Sequence, residues 1–138
     1  MDQKLELLKQ VPLFAGLGRR ELEDVGRIAD EVDVSAGTEL MHEGRIAHEF
    51  FVIVAGAIRI DRAGHTLNHL GPGDFLGEIA LVDGGPRTAT ATATEPSRLL
   101  VLTHAGFHQL LDTSPAIRAS ILEALAQRLR RLEPDQPH

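Results

Sequence analysis

Apolar residues in this chain recur first with a helical period, then with a period of two, then helically again. Leu5, Leu7, Leu8 and Val11 give one apolar side before Pro12, and Leu22, Val25, Ile28 and Ala29 recur at helical spacing between charged residues. Pro12 to Leu17 is a short apolar link between these two predicted helices. From Glu31 the period changes. Residues 31–34 alternate, Ser35 to Gly37 turn, and 38–41 can return as a second strand. Residues 49–54 (Glu-Phe-Phe-Val-Ile-Val) carry the strongest strand signal, rich in β-branched and aromatic side chains. After the Ala55-Gly56 break, Ile58 and Ile60 alternate with Arg59 and Asp61. Ala63-Gly64 then predicts a hairpin turn into 66–70. Residues 88–94 alternate Thr and Ala, which puts alanines on one strand face and threonines on the other. With the turn Glu95-Pro96-Ser97 and the run 99–102 they read as a hairpin. Thr103 or His104 caps a helix through Leu111. Ser114 and Pro115 open another, along which Ile117, Ile121, Leu122, Leu125, Leu129 and Leu132 form a stripe.

The pattern is mainly β with flanking helices: about eight short strands at the turn spacing of a roll or jelly-roll barrel, in a chain of 138 residues. One domain is expected over 1–138, with N-terminal helices to about 30, the roll over about 31–103 and C-terminal helices over about 104–133. Hydrophobic residues make up 43%, enough for a real core. The net charge of −6 argues against a nucleic-acid surface, which needs clustered Lys and Arg. With no cysteine, disulfides and thiolate chemistry are excluded. No run is long and apolar enough for a membrane span and no signal sequence opens the chain, so a cytoplasmic protein is expected.

One segment concentrates the chemistry. Residues 73–89 place a glycine turn, Glu78, a short apolar stretch and Arg87 close together. A carboxylate accepts from sugar hydroxyls, and a guanidinium takes a phosphate with two parallel N–H donors. Backbone N–H groups from the turn near Gly77 can serve the same anion. The short span between Glu78 and Arg87 leaves room for one short helix, which favours a compact cyclic phosphate over an extended dinucleotide. The plainer reading, a structural ion pair within a loop, leaves the Gly and Pro-Arg-Thr-Ala context unexplained.

Here the sequence resembles the cyclic nucleotide-binding domain family. The family's phosphate-binding cassette runs G-E-[ILV]-A-L, three or four residues, then P-R-[ST or A]-A. This chain has Gly77-Glu78-Ile79-Ala80-Leu81, then 82–85, then Pro86-Arg87-Thr88-Ala89. Val11 to Phe14, the Gly37 turn, Glu43-Gly44, 50–53, Gly56 and Leu70 to Gly73 also look like the family, so the resemblance runs from about residue 5 to about residue 132. It implies a β-roll with helices at both ends that binds cAMP or cGMP without catalysis. Glu78 would accept from the ribose 2′-hydroxyl and Arg87 would pair with the cyclic phosphate. Backbone N–H groups at Ala80 and at Thr88 or Ala89 would complete the cradle, with Ile79 inside it. Gly77 would keep a side chain from crowding the sugar. Thr88 keeps cGMP open, although cAMP ranks ahead. The last helix would close over the base through Leu125, Arg128, Leu129 or Leu132, or act as a dimer seam.

The chain stops about 20 residues into that last helix, which is taken to leave no room for an output domain. The expectation is a sensor acting through an effector protein or a second copy, or an excised module, without nucleic-acid or membrane partners. No cofactor or metal is expected. A cupin-type metal enzyme would need an H-x-H motif, which is absent, and His42, His48, His65 and His69 read as scattered surface groups. A ligand-free interaction module of the same fold is the other alternative.

Overall fold

The computed structural model describes residues 3–46, 48–77 and 86–131, the last stretch without the side chains of Arg128 and Arg131. Two helices lead, α1 (Gln3–Lys9) and α2 (Arg19–Ile28), joined by a 3₁₀ turn at Pro12–Phe14. Eight strands follow among the described residues: β1 (Asp30–Val34), β2 (Glu39–Met41), β3 (Glu49–Ala55), β4 (Ile58–Arg62), β5 (His65–Leu70), β6 (Phe75–Leu76), β7 (Thr90–Ala93) and β8 (Ser97–Thr103). Helices α3 (His104–Thr113) and α4 (Pro115–Arg131) close the described chain.

The strands form two antiparallel four-stranded sheets, ordered β1-β8-β3-β6 and β2-β7-β4-β5. The first sheet is covered on both faces, and the sequence of its central strands shows why. In β3, Phe50 and Val52 join a core with the helices, while Phe51 and Ile53 join a second core shared with the other sheet. In β8, Leu100 and Leu102 face the helices, and Leu99 and Val101 face the roll interior. Successive side chains on a strand point to opposite faces, so a strand buried on both reads as one unbroken apolar run. The second sheet is covered only on its inner side, and β7 shows the matching alternation: Ala91 and Ala93 are fully buried and the threonines are not.

Phe14, Phe50 and Phe107 lock the helical layer to the first sheet. Phe14 meets Phe50 edge-on at 6.1 Å between ring centroids and Phe107 at 6.0 Å. Lys4 Nζ donates to the carbonyls of Gly26 and Ala29, which closes the C-terminal end of α2. Thr103 caps α3 by accepting from Gly106 N, and Ser114 Oγ accepts from Ile117 N at the start of α4.

The expected fold class holds, but two local expectations do not. Strands β7 and β8 are no hairpin, because β7 pairs with β2 and β4 and β8 pairs with β1 and β3. The return of 38–41 onto 31–34 fails for the same reason: β1 and β2 lie in different sheets. The turns are where the sequence marks them, yet they carry the chain from one sheet to the other, because each sheet needs a partner to bury its inner face. The Ala63-Gly64 turn does form a true hairpin, with Arg62 opposite His65. Strand β6 is too short to leave a periodic signal. The α4 stripe is split: Ile117 and Ile121 are buried, Leu125 packs against the helical core, and Leu122 and Leu129 are exposed by 62% and 64%.

Phe14→Ala removes the ring that touches both neighbours and should lower stability by about 3–5 kcal/mol. Urea denaturation followed by circular dichroism measures this.

Candidate functional site

Arg87 lies just before β7, and its peptide is fixed before its side chain is considered. Arg87 N donates to Arg45 O at 2.7 Å, and Gly44 N donates to Arg87 O at 2.8 Å. One residue earlier, Pro86 bridges Ile46. Two-sided pairing with the 44–46 stretch therefore sets where the Arg87 side chain starts.

The guanidinium reaches a half-buried seat. Its Nη2 donates to the main-chain carbonyl of Glu49 at the start of β3. Its Nη1 is buried and has no hydrogen-bond partner among the described residues. Burial pushes the Arg87 pKa down, and the nearby Glu49 carboxylate pushes it back up. An arginine remains charged at any ordinary pH, so the desolvated cation with an open donor is a standing cost that an incoming anion can relieve. A cleft of about 160 Å³ opens here, lined by Met41, His42, Arg45, His48 and Glu49 as well as Arg87. His42 is already engaged, with Nδ1 2.9 Å from Glu39 Oε1.

Gly77 sits directly under the arginine. Its φ is 77°, in the left-handed region. A Cβ built there would lie 2.9 Å from Arg87 Cζ and 3.3 Å from Nη2. The glycine thus makes room for the guanidinium itself, a constraint separate from the sugar crowding expected above.

Of the other predicted site residues, Thr88 is exposed and Ala89 is buried. Glu78, Ile79 and Ala80 lie outside the described residues, as do Leu132 and the side chain of Arg128. Leu125 packs on the helical layer and Leu129 faces solvent; neither lines the cleft at Arg87. Sequence reasoning missed the residues that brace Arg87, namely Arg45, the Glu49 carbonyl and the turn at 42–45. Most of these contacts use backbone atoms, which leave no residue-type signature. His42, His48, His65 and His69 are all exposed, and among the described residues no group of three or more His, Cys, Asp or Glu is placed to hold a metal. No described helix is long and apolar enough to cross a membrane.

The sequence model described as "Cyclic nucleotide-binding domain" matches residues 31–114, more than half of the chain. The chain belongs to that family. Cyclic nucleotide-binding domains are regulatory rather than catalytic modules. This one is similar to a cyclic nucleotide-gated potassium channel of Rhizobium etli, at 34% identity over 89% of this chain and 34% of the channel. It is also similar to a CRP-like cAMP-activated global transcriptional regulator of Mycobacterium tuberculosis, at 28% identity over 91% of this chain and 58% of the regulator. The chain thus spans between about a third and three-fifths of these relatives. Among solved structures, the N-terminal domain of a transcriptional regulator from Streptomyces coelicolor A3(2) superposes with a TM-score of 0.87 at 31% identity. The superposition covers 96% of this chain and 98% of that one.

Gly77→Ala should lower the stability of this cyclic nucleotide-binding domain by about 1–2 kcal/mol from the left-handed backbone alone. Gly71→Ala, with no atom within 4 Å of its new Cβ, should stay within about 0.5 kcal/mol of the native chain. Parallel urea melts compare the two.

Proposed function

We propose that the chain is a non-enzymatic cytoplasmic sensor, one domain over 1–138, that binds cAMP in preference to cGMP. Arg87 takes the cyclic phosphate and Glu78 the ribose 2′-hydroxyl. Gly77, Ile79, Ala80, Thr88 and Ala89 form the cradle around them. The observation that carries this reading is the Arg87 guanidinium: fixed at its peptide, half-buried, and with Nη1 unpaired. A structural arginine in such a seat would be expected to have its donors matched. The family membership and the cAMP-activated relative support the same ligand class.

In this reading the output is the position of the C-terminal helix. Leu125, Arg128, Leu129 and Leu132 close over the base or meet an effector protein or a second copy. Leu129 is exposed and so open to such a contact. A ligand moves such an equilibrium only through its preference for the closed state; a swing from 1:99 to 99:1 needs about 5.5 kcal/mol.

Calorimetric titration with cAMP and cGMP tests the proposal. The native chain should bind both, cAMP more tightly. Arg87→Ala should weaken cAMP by at least about tenfold, since hydrogen bonds to charged groups contribute roughly 1.5–3 kcal/mol. Arg87→Lys should recover only part of the loss, because an ammonium cannot form the fork. No heat with either nucleotide would overturn the ligand; unaltered affinity in Arg87→Ala would overturn the site.

A further inference from the structure

Two side chains distant in sequence from Arg87 tie its segment to the tip of the β4–β5 hairpin. Glu43 N donates to Thr90 Oγ1 at 3.1 Å, which attaches the 42–45 turn to β7 three residues beyond Arg87. The Glu43 carboxylate then turns outward, and its Oε1 accepts from Ala63 N at 3.0 Å. Ala63 is the one non-glycine described residue with positive φ, at 51°. Its N–H belongs to the turn rather than to the ladder that pairs Arg62 with His65. The carboxylate therefore satisfies a turn donor and holds the hairpin tip against the 42–45 turn. From the same tip, Arg62 Nε donates to Thr88 O at 2.8 Å, next to Arg87. Three loops meet here, at 42–45, 62–64 and 86–90. The bonds of Arg87 N to Arg45 O and of Gly44 N to Arg87 O complete the junction.

We propose that Glu43 and Arg62 are positioning residues for anion binding. They hold the Arg87–Thr88 peptides in place from behind, without touching the ligand. Resting on the reading that Arg87 meets the phosphate, this makes the hairpin tip part of the binding apparatus. A ligand that orders Arg87 stabilises the junction, and by linkage an ordered junction raises affinity. Glu43 needs only an acceptor oxygen for this task. A glutamine, which keeps Oε1, should serve almost as well, whereas alanine should not.

The test compares Glu43→Ala, Glu43→Gln and Arg62→Ala with the native chain by calorimetric titration with cAMP. Asp33→Ala is the control, since it removes a surface pair with Arg98 at the far side of the first sheet. Glu43→Ala should weaken binding by about tenfold, since it leaves the Ala63 N–H without its acceptor, and Arg62→Ala by a few-fold. Glu43→Gln should stay within about twofold of native, because its amide oxygen still accepts. The control should bind as native. Native-like affinity in both Glu43→Ala and Arg62→Ala, or equal loss in Glu43→Gln and Glu43→Ala, overturns the proposal.

Hydrogen exchange supplies a readout that does not need the nucleotide. The Arg87 amide, bonded to Arg45 O, should exchange about tenfold faster in Glu43→Ala while core amides of β3 and β8 keep native rates. An unchanged Arg87 rate overturns the clamp. If the native chain binds no nucleotide, the ligand reading fails and the exchange data alone decide on the junction. If Glu43→Ala does not fold, the exposed Arg62→Ala carries both measurements.

Discussion

A guanidinium that is half out of water, permanently charged and short of one partner is the constraint around which this structure is arranged. Arg87 is braced at its peptide and at one end of its side chain. Its peptide is paired on both sides to residues 44–46, its Nη2 rests on the Glu49 carbonyl, and Gly77 leaves the space beneath it. Each of these depends on a different part of the fold: the turn between β2 and β3, the first residue of β3, and the end of β6. The roll brings them together because its strands alternate between sheets, so that loops far apart in sequence share one rim.

The layered core backs that rim. Strands β3 and β8 are buried on both faces, with one core toward the helices and another toward the second sheet. Because the helices grip the outer face of the same strands that hold Glu49 and its neighbours, a change at Arg87 and a change in helix packing act on one element. In the proposed function, that shared strand is where ligand occupancy at Arg87 would meet the helical layer. It needs only two alternative packings, since close-packed layers shift between discrete arrangements more readily than they deform.

Much of this was legible in the sequence, for identifiable reasons. The run Phe50-Phe51-Val52-Ile53 announced a strand, the Thr-Ala alternation put Ala91 and Ala93 on one strand face, and Ala63-Gly64 marked its hairpin, while the burial of β3 on both sides and the inward direction of the alanines came from the fold. Beyond the β4–β5 hairpin, strand partners were not legible. The turns at 35–37 and 95–97 look like hairpins locally, and only the need to cover two sheet faces sends the chain across. At the site, Arg87 and Gly77 stood out by residue type. Their supports did not, because a carbonyl at position 49 or an N–H at position 44 exists whatever the side chain is. Glu43 was visible in a turn and in the Glu43-Gly44 pair that looks like the family; that its carboxylate reaches Ala63 depends on long-range folding.

The most direct test watches the arginine itself. Nitrogen-15 NMR of the arginine side chains, recorded with and without saturating cAMP, separates Arg87 from Arg45, Arg59 and Arg62. The account predicts that the Arg87 guanidinium resonances move and that its Nη hydrogens exchange more slowly once the open donor is filled. If cAMP binds and the Arg87 signals stay where they were, the guanidinium is not the seat of the phosphate and the central claim is wrong.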